Sequence, residues 1–232
     1  EGHEGHSQDI TNYVESELKI GKSKIAQQVR AELQEKASGI FMWVVLVVRF
    51  LNKASDQGKV DTLPQKLREL PGDLHELFFD MLTRDAYDKE ELVLCIQWLL
   101  FAKQPLNPEQ LYYAIHAARD PVDITERDPE VITEDVIHRF ILNSSKGLAE
   151  ITTPKEPRVQ FIHESVRDFL LKEDGLGKIW PELRNNFTGQ SHEQLKQCCL
   201  NYISDDLDAL LGISDKDRST TSPKEAMKLR ES

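Results

Sequence analysis

Apolar residues recur at intervals of three and four through most of the first 85 residues, which predicts amphipathic helices. Asp9 is the predicted N-cap of the first helix, and residues 1–8 before it are predicted to be disordered. A second helix is predicted over about Ser23–Lys36. A third helix, from Phe41 to about Lys53, is apolar nearly all round and is therefore expected at the centre of a core. Residues 9–85 form one predicted helical domain.

Two polar residues mark the starts of later helices. Asp73, with Glu76 three positions after it, has the spacing of a capping box. Asn107 is followed by Pro108 and then by Gln110, which predicts an N-cap, an N1 proline and an N3 glutamine. Both patterns lie directly before apolar residues at helical spacing, so each predicts where a helix begins.

From about Lys89 onward, the pattern predicts three helices, a β-hairpin and a fourth helix, which is the order of a winged helix. Asp128-Pro129 is the predicted start of the third helix. A final helix is predicted over about His192–Ile203, and the polar residues 204–232 are predicted to be disordered. The predicted fold class is mainly α: a helical domain followed by a winged-helix domain, residues 89–203, with one small β-hairpin.

The segment KGLAEITTPKEPRVQFIHESVRDFLL contains the predicted hairpin and the helix after it. GLAEI and VQFIH are the predicted strands, and the two prolines between them prevent a continuous regular structure. In the helix that follows, Val166 and Phe169 lie at helical spacing, and Ser165 is the predicted N-cap. His163 is left at the junction between strand and helix, where its ring can point away from the core.

Three segments in this order resemble the fungal NACHT-type STAND signalling ATPases, which are NOD-like receptors. They are SGIFMWVVLVVRFL, LCIQWLLFAKQPLNPEQLYYAI and FIHESVRDFLL, and the resemblance covers roughly residues 9–203. The same module is also named after a GPI inositol-deacylase, a label that implies no deacylase chemistry here. The resemblance implies the same two domains as the hydrophobic pattern.

The resemblance also implies a function and its partners. The chain would be a regulatory, non-catalytic segment that clamps ADP in a closed state and releases on nucleotide exchange, which allows oligomerisation. The alternative is a stand-alone winged-helix module for protein interaction or DNA binding, in which the acidic surface meets a basic partner. The cofactors would be ADP or ATP with magnesium, held by the intact protein and not by this segment. The implied partners are a nucleotide-binding core on the N-terminal side and a C-terminal repeat sensor, of ankyrin or WD40 type. The implied location is cytoplasmic.

Two residues are candidates for nucleotide contact, and each has an alternative interpretation. His163 matches the histidine that, in NACHT proteins, reaches the β-phosphate of ADP; an isolated histidine at this place would more simply be satisfied by the backbone. Phe41 lies where related receptors carry a proline that packs against adenine. Its ring can stack on a base, or it can belong to the core of an apolar helix.

Composition restricts the class of protein. The net charge of −11 argues against a general binder of the phosphate backbone, and no nucleic-acid partner is expected. The three cysteines, two of them adjacent, do not form a disulfide framework, which favours a reducing compartment. The most apolar run, Ile40–Val48, is too short for a membrane span, which needs roughly 18 residues, and the N-terminus resembles no signal peptide.

Four further patterns are interpreted as coincidental. Gly21-Lys22-Ser23 resembles the end of a phosphate loop, but the required earlier glycine is Ser16. Ser165, His163 and Glu164 are not expected to form a catalytic triad, because neighbouring residues point in different directions. His3 and His6 lack further metal ligands. A DNA-binding role for the predicted recognition helix, EVITEDVIHRFIL, conflicts with its acidic residues. No catalytic or metal site is therefore predicted, and the chain alone is not expected to hydrolyse ATP.

Overall fold

The computed structural model describes residues 2–84, 88–119, 131–152, 155–172, 174–181 and 184–211, with side chains at all of these except 2–6, 119, 202 and 204–211. Within these ranges the fold contains eleven α-helices and one two-stranded antiparallel sheet. The predicted fold class, mainly α with one small β-hairpin, is confirmed. No helix in the described part of the chain is long and apolar enough to cross a membrane.

Contacts along the chain divide it into two units. The first comprises residues 1–87 and 163–184, and the second comprises residues 88–162 and 185–232. The helix that follows the hairpin is thus grouped with the first unit, whereas the sequence placed it in the second domain. This grouping rests on contacts alone, and the predicted domain boundaries stay a prediction.

Among the described residues, the first unit contains seven α-helices. In chain order they are α1 (Gly2–Glu17), α2 (Lys24–Lys36), α3 (Phe41–Asp56), α4 (Leu63–Glu69), α5 (Leu74–Thr83), α9 (Glu164–Lys172) and α10 (Gly175–Ile179), with a 3₁₀ turn at Val60–Thr62. Eight residues of α3 are buried, as its apolar sequence predicts. Trp43 is one of them, and its Nε1 donates to the carbonyl oxygen of Pro71 at 2.7 Å. The Lys36 ammonium donates to the last carbonyls of α4.

Among the described residues, the second unit contains four helices and the hairpin. They are α6 (Lys89–Phe101), α7 (Pro108–Arg119), α8 (Glu134–Ser144), β1 (Ala149–Ile151), β2 (Val159–Phe161) and α11 (Phe187–Leu211). In the hairpin Ala149 is opposite Phe161, and Ile151 is opposite Val159. The backbone N–H of Val159 donates to the carbonyl oxygen of Leu106 at 2.8 Å, so the chain just before α7 lies along the outer edge of β2. Val159 is buried in the apolar core between these elements.

The predicted helix starts at Ser23, Asp73 and Asn107 are confirmed. The Ser23 hydroxyl accepts from the N–H of Ala26, and the Asp73 carboxylate accepts from two N–H groups of α5. Asn107 and Gln110 form a reciprocal capping box: each backbone N–H donates to the other's side-chain oxygen, at 3.0 and 2.8 Å. These starts are predictable because every partner lies within three residues of the cap.

Three predicted helix boundaries are wrong: the start of α1 and both ends of α11. α1 begins at Gly2 instead of Asp9, and it includes residues that were predicted to be disordered. The Thr11 hydroxyl bonds the carbonyl of Ser7, and once a helix has nucleated each added residue gains a hydrogen bond. α11 runs from Phe187 to Leu211, longer at both ends than predicted, and residues 212–232 lie outside the described residues. Asp128-Pro129, the predicted start of the third helix of the second domain, also lies outside the described residues. That helix is α8, and its N-cap is Thr133.

Candidate functional site

The first turn of α9 contains the strongest candidate residue, His163. α9 begins at Glu164, so His163 occupies the N-cap position, and the prediction of Ser165 as N-cap is wrong. The carbonyl of His163 accepts from the N–H of Val166 at 3.2 Å, as an N-cap carbonyl does in a tight first turn. Ser165 is the second residue of the helix, one of the positions whose N–H needs a capping acceptor.

The imidazole ring of His163 provides that acceptor. The backbone N–H of Ser165 donates to His163 Nδ1 at 3.1 Å, and Ser165 Oγ lies 2.9 Å from the same nitrogen. The His163 side chain is nevertheless exposed to solvent. The backbone therefore provides a hydrogen-bond partner for Nδ1 of His163, as the simpler of the two interpretations expects. The Nε2 atom, on the other side of the ring, has no hydrogen-bond partner among the residues that the structure describes.

α9 is held in the first unit by an aromatic cluster. Phe169, only 2% exposed, lies with its ring centroid 5.6 Å from that of Phe78 and 5.6 Å from that of His75, both on α5. On the other side Gly175 approaches closely: a Cβ at this position would lie 2.4 Å from the carbonyl oxygen of Phe169. The backbones of α9 and α10 are therefore in contact at this point, and a residue larger than glycine would not fit. The start of α9 is thus held in place by packing less than two turns away.

The contact between Ser165 and His163 corrects one step of the sequence reasoning. Their side chains were expected to diverge, yet Oγ and Nδ1 are within hydrogen-bonding distance. The contact has the geometry of a helix cap, since Nδ1 also receives the backbone N–H of Ser165. In addition, the sequence contains no G-x-S-x-G elbow of the kind that exposes a nucleophilic serine.

Phe41, the second candidate, is the first residue of α3 and is 40% exposed. Its ring forms an edge-to-face pair with the ring of Tyr13, with 5.1 Å between the ring centroids and 68° between the ring planes. Phe41 is therefore not a fully buried core residue, and part of its ring is accessible to a ligand. No hydrogen bond or ring contact joins Phe41 to His163 in the described part of the chain. The role of both residues in nucleotide contact stays a prediction.

Gly21-Lys22-Ser23 forms a turn between two helices. Ser16 lies inside α1, and its hydroxyl bonds the carbonyl of Tyr13. The Ser23 hydroxyl is occupied as the N-cap of α2, and the carbonyl of Gly21 accepts from the Arg30 guanidinium at 3.0 Å. A phosphate loop requires a strand before it and N–H groups that face a common centre, and this helix–turn–helix segment has no such strand.

The helix α8 offers little to a DNA backbone. Glu134 and Asp135 occupy its first turn, where negative charge interacts favourably with the positive end of the helix dipole. Arg139 pairs with Asp135 one turn earlier at 2.8 Å, which neutralises the basic residue of this helix. Protein surfaces that bind phosphates have an excess of positive charge, so this geometry argues against a DNA-recognition role.

The cysteines differ in environment. Burial raises the pKa of the Cys95 thiol to about 12 and that of the Cys198 thiol to about 11. Cys199, by contrast, is exposed, although it is adjacent to Cys198 in α11. Among the described residues no group of three histidine, cysteine or acidic side chains could hold a metal ion. The side chains of His3 and His6 lie outside the described residues.

Comparison with known proteins gives one informative similarity. The chain is 31% identical over 144 residues to the vegetative incompatibility protein HET-E-1 of Podospora anserina. The match covers 62% of this chain, and it spans 10% of the length of that protein. No protein-family model matches the chain, and no solved structure matches it. The similarity is to a fungal protein, as the three sequence segments predicted.

Proposed function

We propose that this chain is the regulatory segment of a fungal NACHT-type STAND signalling ATPase, in which it clamps ADP in the closed state without catalysing hydrolysis. In this proposal residues 89–203 form the winged-helix domain, and residues 9–85 form the helical domain. The segment acts with an N-terminal nucleotide-binding core and a C-terminal ankyrin or WD40 sensor, in the cytoplasm. Exchange of ADP for ATP with magnesium releases the clamp and permits oligomerisation.

One observation carries the proposal: the similarity to a fungal vegetative incompatibility protein over 144 residues, which agrees with the three ordered segments typical of NACHT proteins. That similarity covers part of each protein, so the activity, the nucleotide and the partners of the whole protein are proposed by analogy. The helix order of α6 to α9 with its hairpin agrees with a winged helix.

The described residues fit an ADP ligand in two respects. The ring of His163 is exposed while its Nδ1 is engaged by α9, so Nε2 is available to donate to a phosphate oxygen. Phe41 is 40% exposed, which leaves room for a base to pack against it. In this proposal the identity of the bound nucleotide decides between the two states: ADP favours the closed state, and ATP with magnesium favours the open state. The chain is then part of a two-state element that is biased by a ligand.

The chain alone provides the first experiment. Titration calorimetry and a phosphate-release assay should detect no tight binding of ATP or ADP and no turnover, with or without magnesium, because the Gly21-Lys22-Ser23 turn cannot enclose phosphates. Tight, magnesium-dependent ATP binding by the isolated chain would refute the proposal that it is a regulatory segment.

The second experiment uses the longer protein in which this chain accompanies a nucleotide-binding core. His163→Asn retains a good N-cap for α9 and removes the imidazole. This variant loses the proposed hydrogen bond from the imidazole to a phosphate oxygen, and a hydrogen bond to a charged acceptor is typically worth about 1.5–3 kcal/mol. ADP should therefore dissociate roughly 10- to 150-fold faster. Thr133→Asn, which exchanges one N-cap for another on α8, is the matched control and should leave the ADP off-rate unchanged. Normal ADP retention in His163→Asn would contradict the proposed role.

A further inference from the structure

We infer that Ser165 is a positioning residue for His163: its backbone N–H and its hydroxyl together hold the imidazole in the tautomer that carries its hydrogen on Nε2. The biological use of this tautomer rests on the proposed function, in which Nε2 donates to a phosphate oxygen. The tautomer itself is a property of this chain, and it can be measured without any nucleotide.

The first step of the argument is the contact with the backbone. An amide N–H can only donate, and it lies 3.1 Å from His163 Nδ1, so that nitrogen must be the acceptor. A neutral imidazole has one N–H and one acceptor nitrogen. Once Nδ1 accepts, the hydrogen is on Nε2.

The second step is the hydroxyl of Ser165. Its oxygen lies 2.9 Å from the same Nδ1, and a hydroxyl can either donate or accept. Since Nδ1 already accepts the backbone N–H, the hydroxyl can make a hydrogen bond only by donating as well. Rotating the ring by half a turn would place a C–H group against both donors and lose both bonds. Ser165 therefore selects the ring orientation as well as the tautomer.

The third step is the position of the opposite ring nitrogen. His163 is exposed, and the two ring nitrogens lie on opposite sides of the imidazole, so a ring held through Nδ1 presents Nε2–H to its surroundings. Ser165 is itself held by α9, whose Val166 and Phe169 are 0% and 2% exposed. The donor thus has a fixed direction before any ligand binds, which lowers the entropy cost of binding.

Nitrogen-15 NMR of the 232-residue chain tests this inference. Long-range proton–nitrogen spectra distinguish the two tautomers of a neutral imidazole. The signals of His163 are identified by their loss in His163→Asn. In the parent chain we expect the Nε2–H form. In Ser165→Ala the ratio of Nε2–H to Nδ1–H forms should fall roughly 2- to 10-fold, the range of one net hydrogen bond. Ser165→Thr, which keeps a hydroxyl, should restore the parent ratio.

Ser23→Ala is the matched control, because it removes a serine cap from α2 and leaves the α9 start intact; its His163 spectrum should equal that of the parent. An Nδ1–H form in the parent chain, or an unchanged ratio in Ser165→Ala, would overturn the inference. Failure of the proposed function looks different: ADP would be retained normally in His163→Asn, while the tautomer measured here stayed on Nε2.

Discussion

Two buried tryptophan N–H groups have opposite environments, and this predicts opposite effects of the same substitution. Trp43 is fully buried in the first unit, and its Nε1 donates to the carbonyl oxygen of Pro71 at 2.7 Å. Trp98 is partly buried in the second unit, yet its Nε1 is covered and has no hydrogen-bond partner among the described residues. Replacing each by Phe keeps most of the ring and removes the N–H.

The magnitudes follow from what each substitution leaves behind. Trp43→Phe leaves the Pro71 carbonyl without its donor; because Pro71 is half-buried, water can partly replace the indole, and we expect the lost hydrogen bond to lower the unfolding free energy by about 1–2 kcal/mol. The packing lost with the smaller ring adds to this, because Trp43 is fully buried. Trp98→Phe removes a buried donor that has no partner, which recovers about 1–3 kcal/mol and offsets the packing lost with the smaller ring. Its net effect should be near zero or stabilising.

Urea unfolding followed by far-UV circular dichroism measures both variants without relying on tryptophan fluorescence. The slope m should match that of the parent, so that the difference is one of stability. Phe41→Ala, a change at an exposed residue of the same helix as Trp43, is the control for general weakening of α3. Equal destabilisation by Trp43→Phe and Trp98→Phe would refute the reasoning, since it would mean that the hydrogen bond to Pro71 contributes nothing.

Two further predictions concern α9 and the cysteines. Because the His163 ring caps α9, His163→Ala should lower the unfolding free energy by about 0.5–2 kcal/mol, while His163→Asn should unfold close to the parent in urea. Equal losses in both variants would show that the ring contributes no cap. Burial holds the pKa of Cys198 at about 11 and that of Cys95 at about 12, so both remain thiols as the pH rises to about 9. A thiol-reactive disulfide reagent should therefore modify Cys199 rapidly in the folded chain and the other two only on unfolding; fast modification of all three without urea would contradict this.

Local patterns predicted much of the fold, because the interactions concerned lie close together in sequence. The Asn107 and Asp73 caps were predictable for this reason, and so were the two strands of the hairpin. The N-cap of α9 was missed because histidine is not among the preferred capping residues, and Ser165, which is, lies two residues further on. Only the distance from Nδ1 to the Ser165 N–H reveals the cap.

Features that depend on distant residues were not predictable from one sequence. The grouping of α9 with the first unit depends on Phe169 contacting Phe78, 91 positions earlier in the numbering, and no local pattern encodes that pair. The lengths of α1 and α11 were underestimated because helix ends follow from propagation and packing more than from composition. For the candidate site, the position and exposure of His163 were predictable, whereas the engagement of its Nδ1 was not.

The backbone contact between Val159 and Leu106 has a consequence for solubility. A short hairpin leaves unpaired N–H and C=O groups along its outer strands, and such edges can template pairing with another chain and lead to aggregation. Here the chain before α7 occupies the outer side of β2 at Val159, and each strand is only three residues long. The sheet therefore has little free edge on that side to extend, so pairing with a strand of another chain is hindered at this edge.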